Sequence, residues 1–367
     1  MEVEFNGSAL RLARMFNELP LEDVALLVDK TRQYLHRLES GPASPSLELA
    51  SRLAVALNVR PGFFYGNAQM IGEDQVHFRK LFTARVGVKQ VAMAKAEVFS
   101  RLVRFLDQEL QLPHVRLPTI DVMTLDDVEA AADMCRKVWG LGLGPIEHMT
   151  RLAENVGAVV TAYRSMSKSV DALSVSLERP IIVRNEAKES PGRQRFDIGH
   201  ELGHAVMHTG KVTGDRSTES EANRFAGALL VPKSMMLKFF PKPRGAYLDW
   251  KSIGDFKLTW GISKAASLYR AWQLQLLSDQ QYRSGVIHLK RTGEAIRERE
   301  DHLMVMERPE LLETSLEFLR TKRGISIAAV AEALQVNAAL LSQFTGFTGP
   351  NHGGTANNVV PLLRRQA

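Results

Sequence analysis

The chain of 367 residues is too long for one ordinary hydrophobic core, and its length predicts roughly two to three domains. Hydrophobic residues make up 45% and charged residues 24% of the sequence. No apolar stretch approaches the roughly 20 residues of a transmembrane helix, so no membrane partner is expected. The formal net charge of +6 favours an anionic partner, with nucleic acid first.

The start of the chain and its cysteine content bear on the cellular compartment. Residues 1–6 lack the basic and apolar regions of a signal peptide, so a cytoplasmic protein is expected. The single cysteine, Cys135, excludes an internal disulfide framework and a cysteine-based zinc cluster. We expect Cys135 to be a half-buried apolar residue on a helix.

Residues 1–66 are predicted to form an all-α domain of short helices. Apolar residues recur there at helical spacing, and Leu35 and Leu38 are the expected core positions of the third helix. Pro20 suits the first turn of the second helix, and Ser40-Gly41-Pro42 ends the third. The predicted helices cover residues 10–19, 21–28, 31–39 and 46–57.

The second and third helices have the layout of a DNA-binding helix-turn-helix. In such a motif one short helix supports a second, whose first polar side chains reach base edges in the major groove. Spacing alone fits a small helical bundle with a solvated polar face equally well. The candidate DNA-contacting residues are Thr31, Arg32, Gln33, His36 and Arg37.

The order of short motifs in this region resembles the XRE family of Cro/C1-type repressors. The resemblance is carried by Leu10-Arg11-Leu12-Ala13-Arg14, Val24-Ala25, Arg37-Leu38-Glu39-Ser40-Gly41 and Leu53–Val59. It implies that the candidate residues contact an operator in double-stranded DNA, with a homodimer as the expected assembly. Pro20-Leu21 replaces the family's usual Thr-Gln pair, which implies weaker anchoring of a phosphate.

Three further segments complete the predicted organisation: a helical linker or arm at 67–124, a second globular domain at 125–290, and a C-terminal helical domain with a flexible tail at 291–367. In the last segment, the helix pair at Ile325–Leu334 and Ala338–Phe344 fits a second helix-turn-helix, a dimerisation module, or a bundle packed on the central domain. The predicted fold class is therefore mainly α and multidomain.

The central domain contains the sequence His200-Glu201-Leu202-Gly203-His204, an H-E-x-x-H motif in a helical context. Histidines four residues apart share one helix face and can bind one zinc ion. The glutamate beside the first histidine can then act as general base on water. The motif alone is a weak signal, because a catalytic zinc also needs a third protein ligand.

A second helix, predicted from Glu219 to Pro232, offers that third ligand. Glu219 lies on the same stripe as Ala222 and Ala226, and a carboxylate on such a face is costly unless it is paired or metal-bound. Glu221 is the competing ligand, although it points about 160° away from this stripe. Asn223, one turn after Glu219, is placed to orient a ligand from outside the metal shell.

His208 continues the histidine series at i+8. It is predicted about 12 Å from His200 along the helix axis, too far to share one ion. We therefore interpret it as a hydrogen-bonded structural histidine behind the ligands.

The region as a whole resembles the ImmA/IrrE family of metallopeptidases. The resemblance is carried by Arg193–His208, Glu219–Pro232, Trp139-Gly140-Leu141-Gly142 and Trp260-Gly261-Ile262-Ser263. It implies a zincin-like α+β domain with a short antiparallel sheet over the H-E-x-x-H helix. It also implies that His200, His204 and Glu219 hold Zn²⁺, or alternatively Mn²⁺, and that Glu201 is the general base. The family usually has Ala where this chain has Gly199.

Together these features predict a transcriptional regulator with an attached zinc endopeptidase. The resemblance implies a repressor or antitoxin-like protein as substrate, in a mobile element, a toxin-antitoxin system or a stress response. The alternative is a DNA-binding repressor whose peptidase-like domain binds a partner without turnover, and a general housekeeping protease leaves the helix-turn-helix unexplained. Candidates for stabilising the oxyanion are Tyr163, His208 and Arg195.

Overall fold

The computed structural model describes residues 4–66, 76–78, 86–163, 172–175, 178–185, 190–245 and 247–345. This part of the chain contains sixteen α-helices and four β-strands, so the expected mainly α, multidomain fold is confirmed. Among the described residues, none of the helices combines the length and apolarity that a bilayer span requires. The predicted flexible tail lies outside the described residues.

Contacts divide the chain into two compact units. The first comprises Met1–Val76, Thr83–Leu112 and Leu311–Ala367, and the second comprises His77–Phe82 and Pro113–Glu310. This division differs from the expected boundaries, in which 67–124 formed a linker and 291–367 formed a separate domain.

The N-terminal helices of the first unit form as the sequence predicts. Asn6, Thr31 and Ser46 cap three of them, because each side chain accepts a hydrogen bond from a backbone N–H of the first turn. Leu35 and Leu38 are fully buried. The helices are α1 (Gly7–Phe16), α2 (Leu21–Leu27), α3 (Arg32–Ser40) and α4 (Leu47–Ala56), followed by a 3₁₀ helix at Pro61–Tyr65.

Four more helices complete this unit: α5 (Val86–Glu109), α14 (Leu311–Arg323), α15 (Ile327–Ala333) and α16 (Ala338–Thr345). Helix α5 packs against α1. Near α4, the N–H of Arg60 donates to the carbonyl of Gln335 at 2.9 Å, and the N–H of Asn337 donates to that of Asn58 at 3.3 Å. The C-terminal helices therefore belong to the unit of the helix-turn-helix, which disagrees with the interpretation that groups them with the central domain.

The α15–α16 pair repeats the backbone geometry of α2–α3. In each pair a seven-residue helix is followed by a turn with one left-handed residue, Asp29 (φ 53°) in the first and Gln335 (φ 56°) in the second. The buried Val-Ala dipeptide of α2 has its counterpart in Val330-Ala331. This similarity favours the second helix-turn-helix geometry among the three interpretations of the C-terminal pair.

The second unit contains a small mixed sheet. Its strands are β1 (Val76–Phe78), β2 (Val159–Tyr163), β3 (Ala172–Val175) and β4 (Ile181–Asn185), in the order β1-β3-β4-β2. The expectation of an antiparallel sheet is wrong in part, because β2 and β4 pair in parallel. Strand β4 lies between β3 and β2. It runs antiparallel to β3 and parallel to β2.

The helices of this unit surround the sheet and one large apolar core. They are α6 (Leu125–Val138), α7 (Met149–Asn155), α8 (Pro191–Met207), α9 (Arg216–Leu230), α10 (Lys233–Phe239), α11 (Trp250–Trp260), α12 (Lys264–Gln273) and α13 (Asp279–Arg291). Cys135 on α6 is fully buried rather than half-buried, and burial raises the pKa of its thiol to about 12. The cysteine is therefore a core residue without a reactive thiolate.

Buried ion pairs attach the segment after α13 to the rest of the second unit. Lys257 on α11 binds Glu298 at 2.8 Å and Asp301 at 2.6 Å, and Lys264 on α12 binds Glu294 at 2.5 Å. All of these side chains are at most 5% exposed. A buried charge is stable only with such partners, so the unit extends past the expected boundary at residue 290.

Candidate metal centre

Helix α8 places the first three candidate residues in the interior of the second unit. The helix starts at Pro191, which suits a first helical position, and nearly every residue from there to Met207 is buried. His200, Glu201 and His204 are at most 1% exposed. The i, i+4 spacing brings the two imidazole rings together, with ring centroids 4.7 Å apart.

Helix α9 brings the fourth candidate from the opposite side. Asp215 caps the helix by accepting hydrogen bonds from the N–H groups of Ser217 and Thr218, and Glu219 follows in the first turn. The stripe of small residues predicted on α9 is buried at Ala222 and Ala226. The carboxylate of Glu219 points from the start of α9 toward His200 and His204 on α8.

Two glycines of α8 permit this close approach of the helices. A Cβ atom at Gly203 would lie 3.0 Å from Cδ1 of Phe225, and one at Gly199 would lie 3.3 Å from Cβ of Ala226. Both distances are tighter than an ordinary van der Waals contact. The Gly199 that departs from the family's usual Ala is thus in contact with α9.

The ligand atoms of His200, His204 and Glu219 converge on one point. Nε2 of His200 and Nε2 of His204 are 3.0 Å apart. Oε2 of Glu219 is 3.5 Å from the first nitrogen, and its Oε1 is 3.3 Å from the second. One ligand atom from each of the three residues lies within 4.8 Å of the others. The structure brings together the three residues that the spacing selects.

The donor atoms fit a divalent metal ion. Nδ1 of His200 lies 3.0 Å from Oδ1 of Asn223, and because an amide oxygen only accepts, the ring proton belongs on Nδ1. Nε2 then carries a lone pair that faces the cluster. Among the described residues, the buried Oε1 of Glu219 has no hydrogen-bond partner. Two imidazole nitrogens and one carboxylate form the ligand set of a catalytic zinc site, and manganese suits it as well.

His208 and Glu221 lie behind the cluster. Nδ1 of His208 is 2.9 Å from Nδ1 of His204, and its Nε2 is 2.9 Å from Oε2 of Glu221. Burial lowers the pKa of His208 and outweighs the hydrogen bond with Glu221, which acts in the opposite direction. Both ring nitrogens are engaged, which fits the interpretation of a hydrogen-bonded histidine and leaves no donor for an oxyanion.

The two other oxyanion candidates also lack support. The buried guanidinium of Arg195 donates to the carbonyls of Ile146, Glu147 and Gly261 and to the carboxylate of Glu307. Arg195 is thus an internal anchor of α8. The backbone of Tyr163 ends strand β2, and its side chain lies outside the described residues.

The candidate DNA-contacting residues share one exposed helix of the first unit. Thr31, Arg32, Gln33, His36 and Arg37 are all exposed at or after the start of α3. The hydroxyl of Thr31 accepts a hydrogen bond from the N–H of residue 34 at 3.2 Å, so this side chain also caps the helix. The other four side chains extend from α3 itself, the helix with which a helix-turn-helix contacts bases.

Two family models match the regions that contain the candidate sites. Residues 10–64 match the helix-turn-helix family model, and residues 153–271 match the model of the IrrE N-terminal-like domain, a peptidase family. The chain thus joins an XRE-type helix-turn-helix domain to a domain similar to the IrrE N-terminal-like family. The second match includes all residues of the candidate metal centre. No curated protein matches the chain.

Sequence reasoning missed the contact between His208 and Glu221 and the role of Glu307. The i+8 spacing of His208 gives a signal for the first, because it places this ring one turn beyond His204 on the same face. Glu307 accepts hydrogen bonds from the N–H groups of Met149 and Thr150 at the start of α7. Such a contact across more than 150 residues leaves no periodic signal in the sequence.

Proposed function

We propose that this protein is a DNA-binding regulator with a zinc-dependent endopeptidase domain. The observation that carries the proposal is the convergence of His200, His204 and Glu219 around one point, with Glu201 on the same helix. The two family matches support the combination of a helix-turn-helix domain with an IrrE-like domain. The proposal adds zinc as the metal, manganese as its substitute, and turnover of a protein substrate.

In this proposal each side chain of the centre has a distinct task. A bound zinc ion supplies Lewis acidity, which activates water and polarises a peptide carbonyl. Glu201 takes the proton of the attacking water and delivers it to the leaving amine. Oδ1 of Asn223 accepts a hydrogen bond from the Nδ1–H of His200 and fixes the orientation of that ligand.

The regulatory part of the proposal rests on α3. Arg32 and Gln33 are exposed at the start of this helix and are chemically suited to guanine and adenine. His36, a further groove-reading position, and Arg37 are exposed one turn further along α3. We propose that a cytoplasmic homodimer binds an operator through two such helices, since paired half-sites match a two-fold protein.

The proposed substrate class is a repressor or an antitoxin-like protein. A peptidase fused to a DNA-binding domain acts where transcription is controlled, and cleavage of a repressor converts a signal into gene expression. The expected settings are a mobile element, a toxin-antitoxin system or a stress response. The alternative function, a repressor whose peptidase-like domain binds a partner without turnover, is separated from this one by experiment.

The test compares the full-length protein with its Glu201→Gln variant. Each is loaded with zinc and incubated with a soluble extract of the source cells, and newly formed protein N-termini are identified by mass spectrometry. We expect new termini with the wild type and a rate lowered by about 100- to 10,000-fold in the variant, which keeps its zinc. Equal cleavage by both proteins contradicts the mechanism, and no cleavage by either supports the alternative.

A further inference from the structure

A chain of hydrogen bonds continues from the candidate metal centre to the surface. Nδ1 of His204 is 2.9 Å from Nδ1 of His208, whose Nε2 is 2.9 Å from Oε2 of Glu221. Oε1 of Glu221 accepts a hydrogen bond from the hydroxyl of Ser217 at 3.2 Å. This series of hydrogen bonds starts at His204, a proposed ligand on α8, and ends at Ser217 in the first turn of α9.

The carboxylate of Glu221 determines which ring nitrogens of His208 and His204 carry protons. An ionised carboxylate only accepts hydrogen bonds, so Nε2 of His208 carries the proton shared with Glu221. Nδ1 of a neutral His208 then has a lone pair and must accept. The proton between the two rings therefore belongs to Nδ1 of His204, and Nε2 of His204 is left with its lone pair toward Glu219. A proton on that nitrogen would compete with a metal ion.

The positions of both residues hold this arrangement in place. His208 is the C-terminal capping residue of α8 and is 1% exposed, so its ring has little freedom to rotate. The Glu221 side chain is 26% exposed and is held by Ser217 from the same helix. Glu219 and Glu221 both leave the first part of α9, one toward the cluster and the other toward His208.

We propose that Glu221 and His208 are positioning residues that hold His204 in the tautomer with the lone pair on Nε2, and that they thereby set the affinity for the metal. The proposal rests on the proposed metal centre. Partners of metal-binding histidines outside the coordination shell fix ring orientation and raise ligand basicity, and their loss typically costs 10- to 100-fold in affinity. Sequence spacing places Glu221 away from the centre, whereas the structure gives it this indirect role.

Two single variants test whether the hydrogen bonds from Glu221 through His208 to His204 set the zinc affinity. Glu221→Gln removes the obligatory acceptor, because an amide either accepts or donates and no longer selects one tautomer of His208. His208→Leu removes the link altogether. We expect the zinc affinity of the full-length protein to fall by about 10-fold in the first variant and by up to about 100-fold in the second. Ser220→Ala, between the two carboxylates, is the matched control and should keep the wild-type affinity.

A third variant distinguishes positioning from a general structural role. In His208→Asn the amide oxygen takes the place of Nδ1 and accepts the proton of His204 without help from Glu221. We expect this variant to recover most of the affinity lost in His208→Leu. Adding Glu221→Gln to His208→Asn should then have no further effect, whereas the same change lowers affinity in the wild type.

Zinc affinity is measured by competition with a chromophoric chelator, and the ligand field is followed by the visible absorption of bound Co²⁺. If the wild type binds no zinc, the metal centre and the positioning role fail together. If the wild type binds zinc and Glu221→Gln and His208→Leu bind it equally well, only the positioning role is wrong. It is also wrong if Glu221→Gln has the same effect with and without His208→Asn.

Discussion

The two helix pairs that carry the candidate functional residues, α2–α3 and α8–α9, differ in where they place those residues. In α3 the side chains at 31–33 and 36–37 are exposed, and burial is limited to the core positions. In α8 the candidate residues are themselves the core, with His200, Glu201 and His204 almost fully buried. The candidate residues of α2–α3 are thus at the surface, whereas those of α8 are in the interior.

This difference determines how much each geometry says about function. Buried polar side chains are unfavourable without partners, so the convergence of two imidazoles and a carboxylate on one point favours a specific ligand. Exposed polar side chains need no partner, and their arrangement on α3 is also compatible with plain solvation. The family match at 10–64 supplies the support for DNA binding that the exposed geometry lacks. Variants in each region sharpen the contrast.

The largest expected loss of stability comes from the ion pair that supports α3. Arg14 on α1 binds Glu39 on α3 at 2.5 Å, and both side chains are 9% exposed. Arg14→Ala leaves a buried carboxylate unpaired, and we expect the first unit to lose about 3–5 kcal/mol. Hydrogen exchange of α1 and α3 amides in the full-length protein measures this loss.

The control for this prediction removes both charges. Arg14→Met combined with Glu39→Leu should restore most of the lost protection, because no charge is then left unpaired. Unchanged protection in Arg14→Ala alone would show that the pair does not hold α3 against α1.

The second largest effect is expected at the contact between α8 and α9. Gly203→Ala places a methyl group 3.0 Å from Phe225, and we expect a loss of about 1–3 kcal/mol in thermal unfolding, together with weaker zinc binding as the helices separate. Gly144→Ala is the matched control, since its added Cβ would have no heavy atom of the described part of the chain within 4 Å. Equal stability of the two variants would contradict the close packing of the helices.

A smaller change is expected in the exposed region. Arg32→Ala should weaken binding to DNA from the protein's own upstream region by about 10-fold and leave stability unchanged, because the side chain lies at the surface. Fluorescence anisotropy at fixed salt measures the affinity. Lys233→Ala, an exposed cation of the second unit, controls for the loss of charge, and an equal loss of affinity there would speak against a role of α3.

The smallest effect is a loss of stability in acid, because the contribution of Glu307 is complete near neutral pH. Burial alone would raise the pKa of Glu307, but Arg195 and the N–H groups of Thr150 and Met149 outweigh it, so the pKa is lowered. A lowered folded-state pKa stabilises the fold above the ordinary value and loses that contribution as pH falls through the lowered one. Urea unfolding between about pH 5 and 3 should show this loss in the wild type and a shallower one in Glu307→Gln.

Most of the correct predictions from the sequence, both of buried positions and of candidate ligands, came from helical periodicity. Leu35 and Leu38 are buried as expected, and the spacing of His200, His204 and Glu219 correctly predicts their convergence, because both segments are regular helices. The fusion of two domain families is likewise confirmed. Local patterns of this kind need only the 3.6-residue repeat of a helix.

Long-range pairing set the limits of that prediction. The parallel arrangement of β2 and β4 depends on which strand β4 lies beside, which no local pattern encodes. The contact of Arg60 with Gln335 joins the C-terminal helices to the first unit, and that of Lys257 with Asp301 joins the segment after α13 to the second unit. Both contacts link residues that are far apart in the sequence. Glu221 was expected to point away from the stripe of Glu219, Ala222 and Ala226, and its contact with His208 on another helix could not be predicted from that spacing.

Zinc stoichiometry tests the central claim most directly. The full-length wild type and its Glu219→Ala variant are equilibrated with equal zinc, freed of weakly bound metal by gel filtration, and assayed by elemental analysis. We expect about one zinc per wild-type chain and a more than 100-fold weaker affinity in the variant, since a ligand matters more than the partners behind it. A wild type that retains no zinc, or a variant that retains as much as the wild type, would contradict a metal centre formed by His200, His204 and Glu219.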